Sequence, residues 1–255
     1  SDALQTELTG QVQMAGLQHD LSFSWLRQRQ MDVLSPMQAY NWAGTGSLTG
    51  FSESAAAPEP YDLNTNRQEY ATEISFKDRI RVHQFADLWM GVRSSHIQRD
   101  SQRTDGSQAT HDERTITTPW LAFSHKLPLN STGYASYGQG VEAQVTPNRS
   151  RYTNSGVALP SAKSTQKEFG IKGAQNQWLW NAALFDITRP VWGDQGACEE
   201  ANSCTRKLDG VAQHKGLEMG MGYRNHQWKI DTAATWLNAK RLEAVIDPSQ
   251  NGQRP

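Results

Sequence analysis

The chain has 255 residues, of which 25 are basic and 26 acidic, giving a net charge of -1, and its mean hydropathy is -0.70. So even a balance provides no basic stripe for nucleic acid, which is excluded as a partner. No stretch reaches the roughly 18 consecutive apolar residues of a transmembrane helix, but low hydropathy is compatible with a membrane wall of strands, which need apolar residues only at alternate positions.

Leu4, Thr6, Leu8, Val12 and Met14 alternate with Gln5, Glu7, Thr9, Gln11 and Gln13. A period of two with one greasy face marks a strand between an apolar phase and water. The first two strands are expected over 3–15 and 17–29, turning at Ala15-Gly16, with Leu17, Leu21, Phe23 and Trp25 sharing a face. A polar, Pro- and Gly-containing segment fills 30–65. Tyr70, Thr72, Ile74, Phe76, Ile80 and Val82 then alternate along a third strand, and a turn at 84–87 leads into a fourth, 88–99. The polar stretch 100–114 reads as a loop. Strands five (115–127) and six (132–142) flank the turn Pro128-Leu129-Asn130-Ser131; strands seven (165–174) and eight (177–189), after a loop at 143–164, meet near Gln175-Asn176. A loop at 190–210 holds both cysteines. Strand nine carries Leu217, Met219, Met221 and Tyr223, and a turn at 224–227 leads to strand ten, with Trp228, Ile230, Ala234 and Trp236 on one face.

Short and long connections therefore alternate. A soluble sandwich would have shorter strands and no such asymmetry between its ends, whereas outer-membrane barrels have short turns at one end and long loops at the other. The expected fold is all-β: an antiparallel up-and-down transmembrane β-barrel, here about ten strands forming an open arc. Trp25, Trp178, Trp228 and Trp236 suit an interfacial aromatic belt. Gln5, Glu7, Gln11, Gln166, Glu168, Lys172, Lys229 and Asp231 fall on the face expected to line the lumen, and their mixed sign suits a polar fit against a domain.

Cys198 and Cys204 are expected to form a disulfide in an oxidising compartment; zinc lacks a third and fourth ligand at suitable spacing. So short a ring contributes only about 2 kcal/mol and would shape a loop. Ser1 lies inside a strand pattern with no initiator Met or signal peptide, as expected of a mature or truncated product. Gly44-Thr45-Gly46 and Gly220-Met221-Gly222 do not sit at strand-to-helix turns, so neither reads as a phosphate loop. The histidines show no metal-ligand spacing, and His214 with Glu218 has neither a nucleophile nor a third ligand beside it. No catalytic residues, metal site or cofactor are expected.

Several strings carry a family resemblance. Leu88-Trp89-Met90-Gly91-Val92-Arg93, the string Tyr134 to Glu142, and Tyr152-Thr153-Asn154 through Leu159-Pro160 to Gln166, Glu168, Gly170, Ile171 and Lys172 resemble strands of TonB-dependent siderophore receptors. Ala183 to Pro190 is similar to that family's "LFDI-x-RP" strand. Leu208-Asp209-Gly210 with His214-Lys215-Gly216-Leu217-Glu218 resembles its "DG…H-R-G-L-E" element, with Lys215 where Arg is usual, and Asn251-Gly252-Gln253-Arg254-Pro255 resembles its "N-G-x-R-P" loop.

The resemblance implies an outer-membrane receptor for a ferric siderophore, energised by an inner-membrane complex through an N-terminal box and plug that have no counterpart in this sequence. Plugged transporters have about 22 strands, so 1–255 is expected to be a partial barrel domain, a fragment without plug or C-terminal strands. A chelate with aromatic and anionic parts would be met by aromatic rings and positive charge. The candidates are Tyr40 and Trp42 in the first long loop, Arg149, Arg151 and Tyr152 in the third, and Trp192 beside the cysteines. For each, interfacial or loop packing is the competing role. The alternative function is a passive outer-membrane channel, or a barrel taking up cobalamin, another metal chelate or a glycan.

Overall fold

The computed structural model describes residues 1–39, 44–54 and 59–255. Ten strands form one sheet in chain order, each antiparallel to the next: β1 (Asp2–Met14), β2 (Leu17–Asp32), β3 (Thr65–His83), β4 (Ala86–Arg103), β5 (Thr110–Leu127), β6 (Ser131–Glu142), β7 (Ala162–Gln175), β8 (Trp178–Gly196), β9 (Cys204–Arg224) and β10 (Lys229–Leu242). The two end strands do not pair with each other, so the sheet is an open arc of barrel wall. Two small ladders, Met37–Gln38 with Asp62–Leu63 and Gly44–Gly46 with Ser52–Ser54, lie in the β2–β3 connection. At the Ala15-Gly16 turn both φ angles are positive, 51° and 78°. A two-residue hairpin that matches the strand twist requires this, and glycine adopts it without strain.

The register explains the alternation. Val12, His19, Ile80, Leu88, Phe123, Ala135, Phe169, Leu184, Leu217 and Trp236 are successive cross-strand partners, one from each strand. All but His19 are apolar. Phe169 is 65 % exposed and Trp236 57 % exposed, so this face is open to its surroundings. The residues between them form the polar face, crossed by ion pairs such as Arg93 with Glu73 at 3.6 Å and Arg79 with Asp87 at 2.9 Å. Such a molecule is built without an apolar interior: the few buried apolar side chains, such as Ile97, Ile116, Tyr152 and Leu159, gather at the long-loop end.

Two glycines on the polar face leave room for aromatic side chains on the neighbouring strand. A Cβ on Gly91 would meet the Trp120 indole at 2.5 Å, and one on Gly216 would meet the Phe185 ring at 2.5 Å. Both are directly opposed pairs, so each ring lies flat on the wall and contributes cross-strand packing.

The strands extend further than their apolar patterning indicates. The expected loops 100–114 and 190–210 are corrected to turns at 104–109 and 197–203, with β4, β5, β8 and β9 occupying the rest. Beyond the apolar belt β4 and β5 are polar on both faces, and on β8 the consecutive Pro190, Val191 and Trp192 break the alternation, so the period-two signal disappears while the backbone ladder continues. Cross-strand pairs hold it: Asp100 opposes His111, and Asp194 opposes Arg206.

The apolar face carries one buried ion pair. His19 Nδ1 lies 2.7 Å from Asp78 Oδ2, with side chains 7 % and 9 % exposed. The residues directly opposite are Val12 and Ile80 for His19, and Leu21 and Met90 for Asp78. Removing one partner strands the other in apolar surroundings. Asp78→Leu alone is expected to cost about 3–5 kcal/mol, while His19→Leu with Asp78→Leu is expected to be neutral or stabilising. Equilibrium unfolding in detergent micelles checks this; a double variant as unstable as the single one would refute the account.

Candidate functional site at the mouth of the barrel

The long-loop end is uneven. The β4–β5 and β8–β9 hairpins reach their tips at 104–109 and 197–203, whereas β6 and β7 stop at Glu142 and Ala162. Segment 143–161 fills the step between them. On one side Arg99 of β4, with its side chain 6 % exposed, is fixed by Glu69 at 2.7 Å and donates from Nη1 to the carbonyls of Gln144, at 3.1 Å, and Leu159. Arg114 of β5 donates to the Ser161 carbonyl at 2.9 Å while paired with Asp112.

Asn148 is the inner anchor. Its Oδ1 accepts from Thr65 Oγ1 at 3.3 Å and Ser155 Oγ at 3.1 Å, and its amide donates to Asn64. Gln38 and Asp62, from the β2–β3 connection, bind the Asn148 carbonyl at 2.7 Å and the Ser150 N–H at 3.0 Å.

On the other side the segment runs beside the start of β9. Cys204 N donates to the Arg151 carbonyl at 3.0 Å and Thr153 N donates to the Cys204 carbonyl at 2.7 Å, with Tyr152 and Cys204 in a parallel bridge. The Tyr152 hydroxyl donates to Asp194 Oδ2 at 2.7 Å, and Asp194 in turn holds Arg206 at 2.8 Å. Cys198 and Cys204 are joined by a disulfide that closes the β8–β9 tip.

This geometry distributes the sequence candidates unequally. Tyr152 is 1 % exposed, so its ring packs within the docked segment and offers no stacking face. Arg151 lies over that ring at 4.9 Å and 3.9 Å from Asp194. Arg149 is exposed at the bend. Trp192 sits on β8, directly opposite Leu208, where the β8–β9 register shifts between Pro190 and Trp192. Tyr40 and Trp42 fall outside the described residues.

The residues that fix the mouth were not candidates: Arg99, Asn148 and Asp194 are charged or polar residues in polar stretches, and only their partners distinguish them. Asp209, in the Asp209-Gly210 string, was at least marked. Burial pushes its carboxyl up, but the N–H groups of Ile246 and Val245 and the Arg241 guanidinium hold it below the ordinary carboxylate range. It thereby ties the 243–251 segment to β9 and β10.

A two-faced antiparallel sheet with tight turns at one end and a folded polar mouth at the other defines the wall of an outer-membrane β-barrel. The chain belongs to the TonB dependent receptor-like β-barrel family, whose model matches residues 2–255. It is 24 % identical over 216 residues to the ferrichrome receptor FcuA of Yersinia enterocolitica, a match covering 80 % of this chain and 27 % of that protein. In fold it resembles the ferric preacinetobactin receptor BauA of Acinetobacter baumannii, with TM-score 0.67 and 17 % identity over 94 % of this chain and 36 % of BauA. It also resembles the ferric-catecholate import receptor Fiu of E. coli K12, with TM-score 0.66 and 15 % identity over 99 % of this chain and 40 % of Fiu. The chain thus spans about a quarter of the curated relative's length.

Arg99→Met removes the two hydrogen bonds from Nη1 to the docked segment while keeping the apolar stem. Lost hydrogen bonds from a charged group cost on the order of 2 kcal/mol, so amide exchange at Thr146 and Leu159 is expected to accelerate about thirtyfold. Unchanged rates would show that Arg99 does not hold the segment.

A second expectation concerns β4 and β5 above the belt. The hydrogen bond to Asp100, at 2.6 Å, raises the His111 pKa above the ordinary value. Burial pushes Asp100 up, but His111 and Gln98 bring it below the ordinary value. A raised His pKa contributes stability below the unfolded value and loses it as pH rises through the folded one; a lowered Asp pKa does so above its unfolded value and loses it in acid. The pair is therefore firmest between about pH 4 and pH 6.5. His111 should titrate above about pH 6.5 by NMR, and Asp100→Asn should bring it back; no change on that substitution would sink the assignment.

Proposed function

We propose that residues 1–255 form a barrel-wall domain of an outer-membrane receptor that takes up a ferric siderophore, with lipid against the apolar face and energy drawn from an inner-membrane complex. The chain itself carries recognition and wall functions and no catalysis. The observation that carries this reading is the mouth. Segment 143–161 is held by side chains from β3, β4, β5 and β8 and by the backbone of β9, so the long-loop end presents a built surface to a ligand. The polar face is lined by paired charges, which suits contact with a folded domain better than a selective open pore. FcuA, BauA and Fiu, by their names, receive ferrichrome, ferric preacinetobactin and ferric catecholates, which supports an iron chelate as cargo.

The test is uptake of radiolabelled iron chelates by cells in which the gene encoding this chain is deleted and then restored. Restoration should recover uptake at least tenfold, and a protonophore should abolish it. Uptake that survives the protonophore would overturn the reading in favour of a passive channel.

A further inference from the structure

Above the apolar belt the outer face of the wall carries a cavity of about 520 Å³. Met31, Gln68, Asp100 and His111, which line it, are successive cross-strand partners on β2, β3, β4 and β5. Alternation along each strand puts them on the face of Phe23, Phe76, Met90 and Leu121. Asn66 and Gln102, also directly opposed, form a second row nearer the loops. Between the rows runs the backbone of Arg67 and Ser101, whose side chains belong to the opposite face. The cavity therefore opens away from the lumen. Met31 stands six residues beyond Trp25, about 20 Å along the strand.

The charges in this cavity are compensated. His111 Nδ1 lies 2.6 Å from Asp100 Oδ1, and Gln98 donates to Asp100 Oδ2 at 2.8 Å. The three side-chain amides are each fixed at one end. Gln68 Nε2 donates to the Tyr70 hydroxyl, Gln102 Nε2 donates to the Gly106 carbonyl at 2.6 Å, and Asn66 Oδ1 accepts from the Leu34 N–H at 3.0 Å. Two carbonyl acceptors, on Gln68 and Gln102, and one amide donor, on Asn66, are left over. Met31, Val33 and Ala109 add apolar surface beside them. An ion gains no net attraction here, and a wholly apolar ligand would leave the amides unpaired. A sugar ring satisfies both parts, with hydroxyls along its edge and C–H groups on its face.

We propose that this cavity binds a neutral hexose in the saccharide of the outer-leaflet glycolipid. Its position selects that source. The belt below meets acyl chains, so the molecules packed against the wall at this height are the sugars those chains carry. A saccharide anchored in this way is presented at high effective concentration. The inference rests on the barrel-wall assignment and not on the cargo, so it stands or falls apart from iron uptake.

The whole receptor in phospholipid nanodiscs would be titrated with two lipopolysaccharides. One carries a complete core with neutral hexoses; the other is truncated to lipid A and its inner acidic sugars. The complete form is expected to bind about tenfold more tightly. Gln68→Ala with Gln102→Ala is expected to remove that preference and leave binding of the truncated form unchanged. Ala109→Trp, which fills the cavity while keeping every amide, is expected to do the same. Ala109 and Gln102 are exposed and Gln68 is half-buried, so these variants are expected to fold, which gel mobility without boiling checks.

Equal affinity for the two lipopolysaccharides, or a preference that both variants leave intact, would overturn the inference. Delipidated core oligosaccharide binding as tightly as the intact glycolipid would assign the cavity to soluble glycans and overturn the lipid source. Iron uptake is expected to be unchanged in the folded variants; its loss would place the cavity on the cargo path and sink the proposal.

Discussion

Every backbone N–H and C=O in the belt of this wall needs a partner, because the phase against the apolar face supplies none. Between neighbours the ten strands meet that demand by pairing edge to edge in one continuous ladder, left open only at the outer edges of β1 and β10, and the rest of the structure follows from it. Side chains are left to alternate between two unlike surroundings, so apolar residues face outward and the polar ones inward. That inversion explains why a chain of such low mean hydropathy has so few buried apolar residues. Tight turns keep adjacent strands in register, and flat rings over Gly91 and Gly216 pack the wall without bulk in the lumen.

Above the belt the constraint changes. Water can reach both faces, so the ladder persists only where side chains reinforce it. Asp100 with His111 and Asp194 with Arg206 do this on the two tall hairpins. Segment 143–161 has little regular structure of its own, and its carbonyls are met by guanidinium groups from neighbouring strands. Tyr152 is the clearest case: its hydroxyl, ring and backbone N–H are each engaged, by Asp194, Arg151 and the Arg149 carbonyl. A residue that resembles a ligand contact in the sequence is in the fold part of what shapes the mouth.

The charge pattern links wall and mouth. Along β1–β4 the polar face matches cations with carboxylates, which lowers the cost of placing another polar surface against it. Farther round the wall the matching is incomplete: Lys126, Lys163, Lys172 and Lys207 have no carboxylate within ion-pair distance among the described residues.

Much of the fold was legible in the sequence, because a strand in an apolar phase must alternate and a tight turn needs particular residues. Strand count, direction and lateral order followed from the alternation of Leu4 to Met14, Tyr70 to Val82 and Leu217 to Tyr223, and from the unequal connections between them. The upper strands were not legible, since Arg99 to Arg103 and Thr110 to Arg114 are polar on both faces and carry no period. Nor was the mouth. Whether Tyr152 stacks on a ligand or packs in a core depends on Asp194 and Cys204, some 42 and 52 positions away in sequence. The sequence alone determined a two-faced, antiparallel wall, because alternation is a local consequence of its surroundings. Only the tertiary structure decided which polar residues neutralise one another and which remain available, because ion pairing depends on distances across strands.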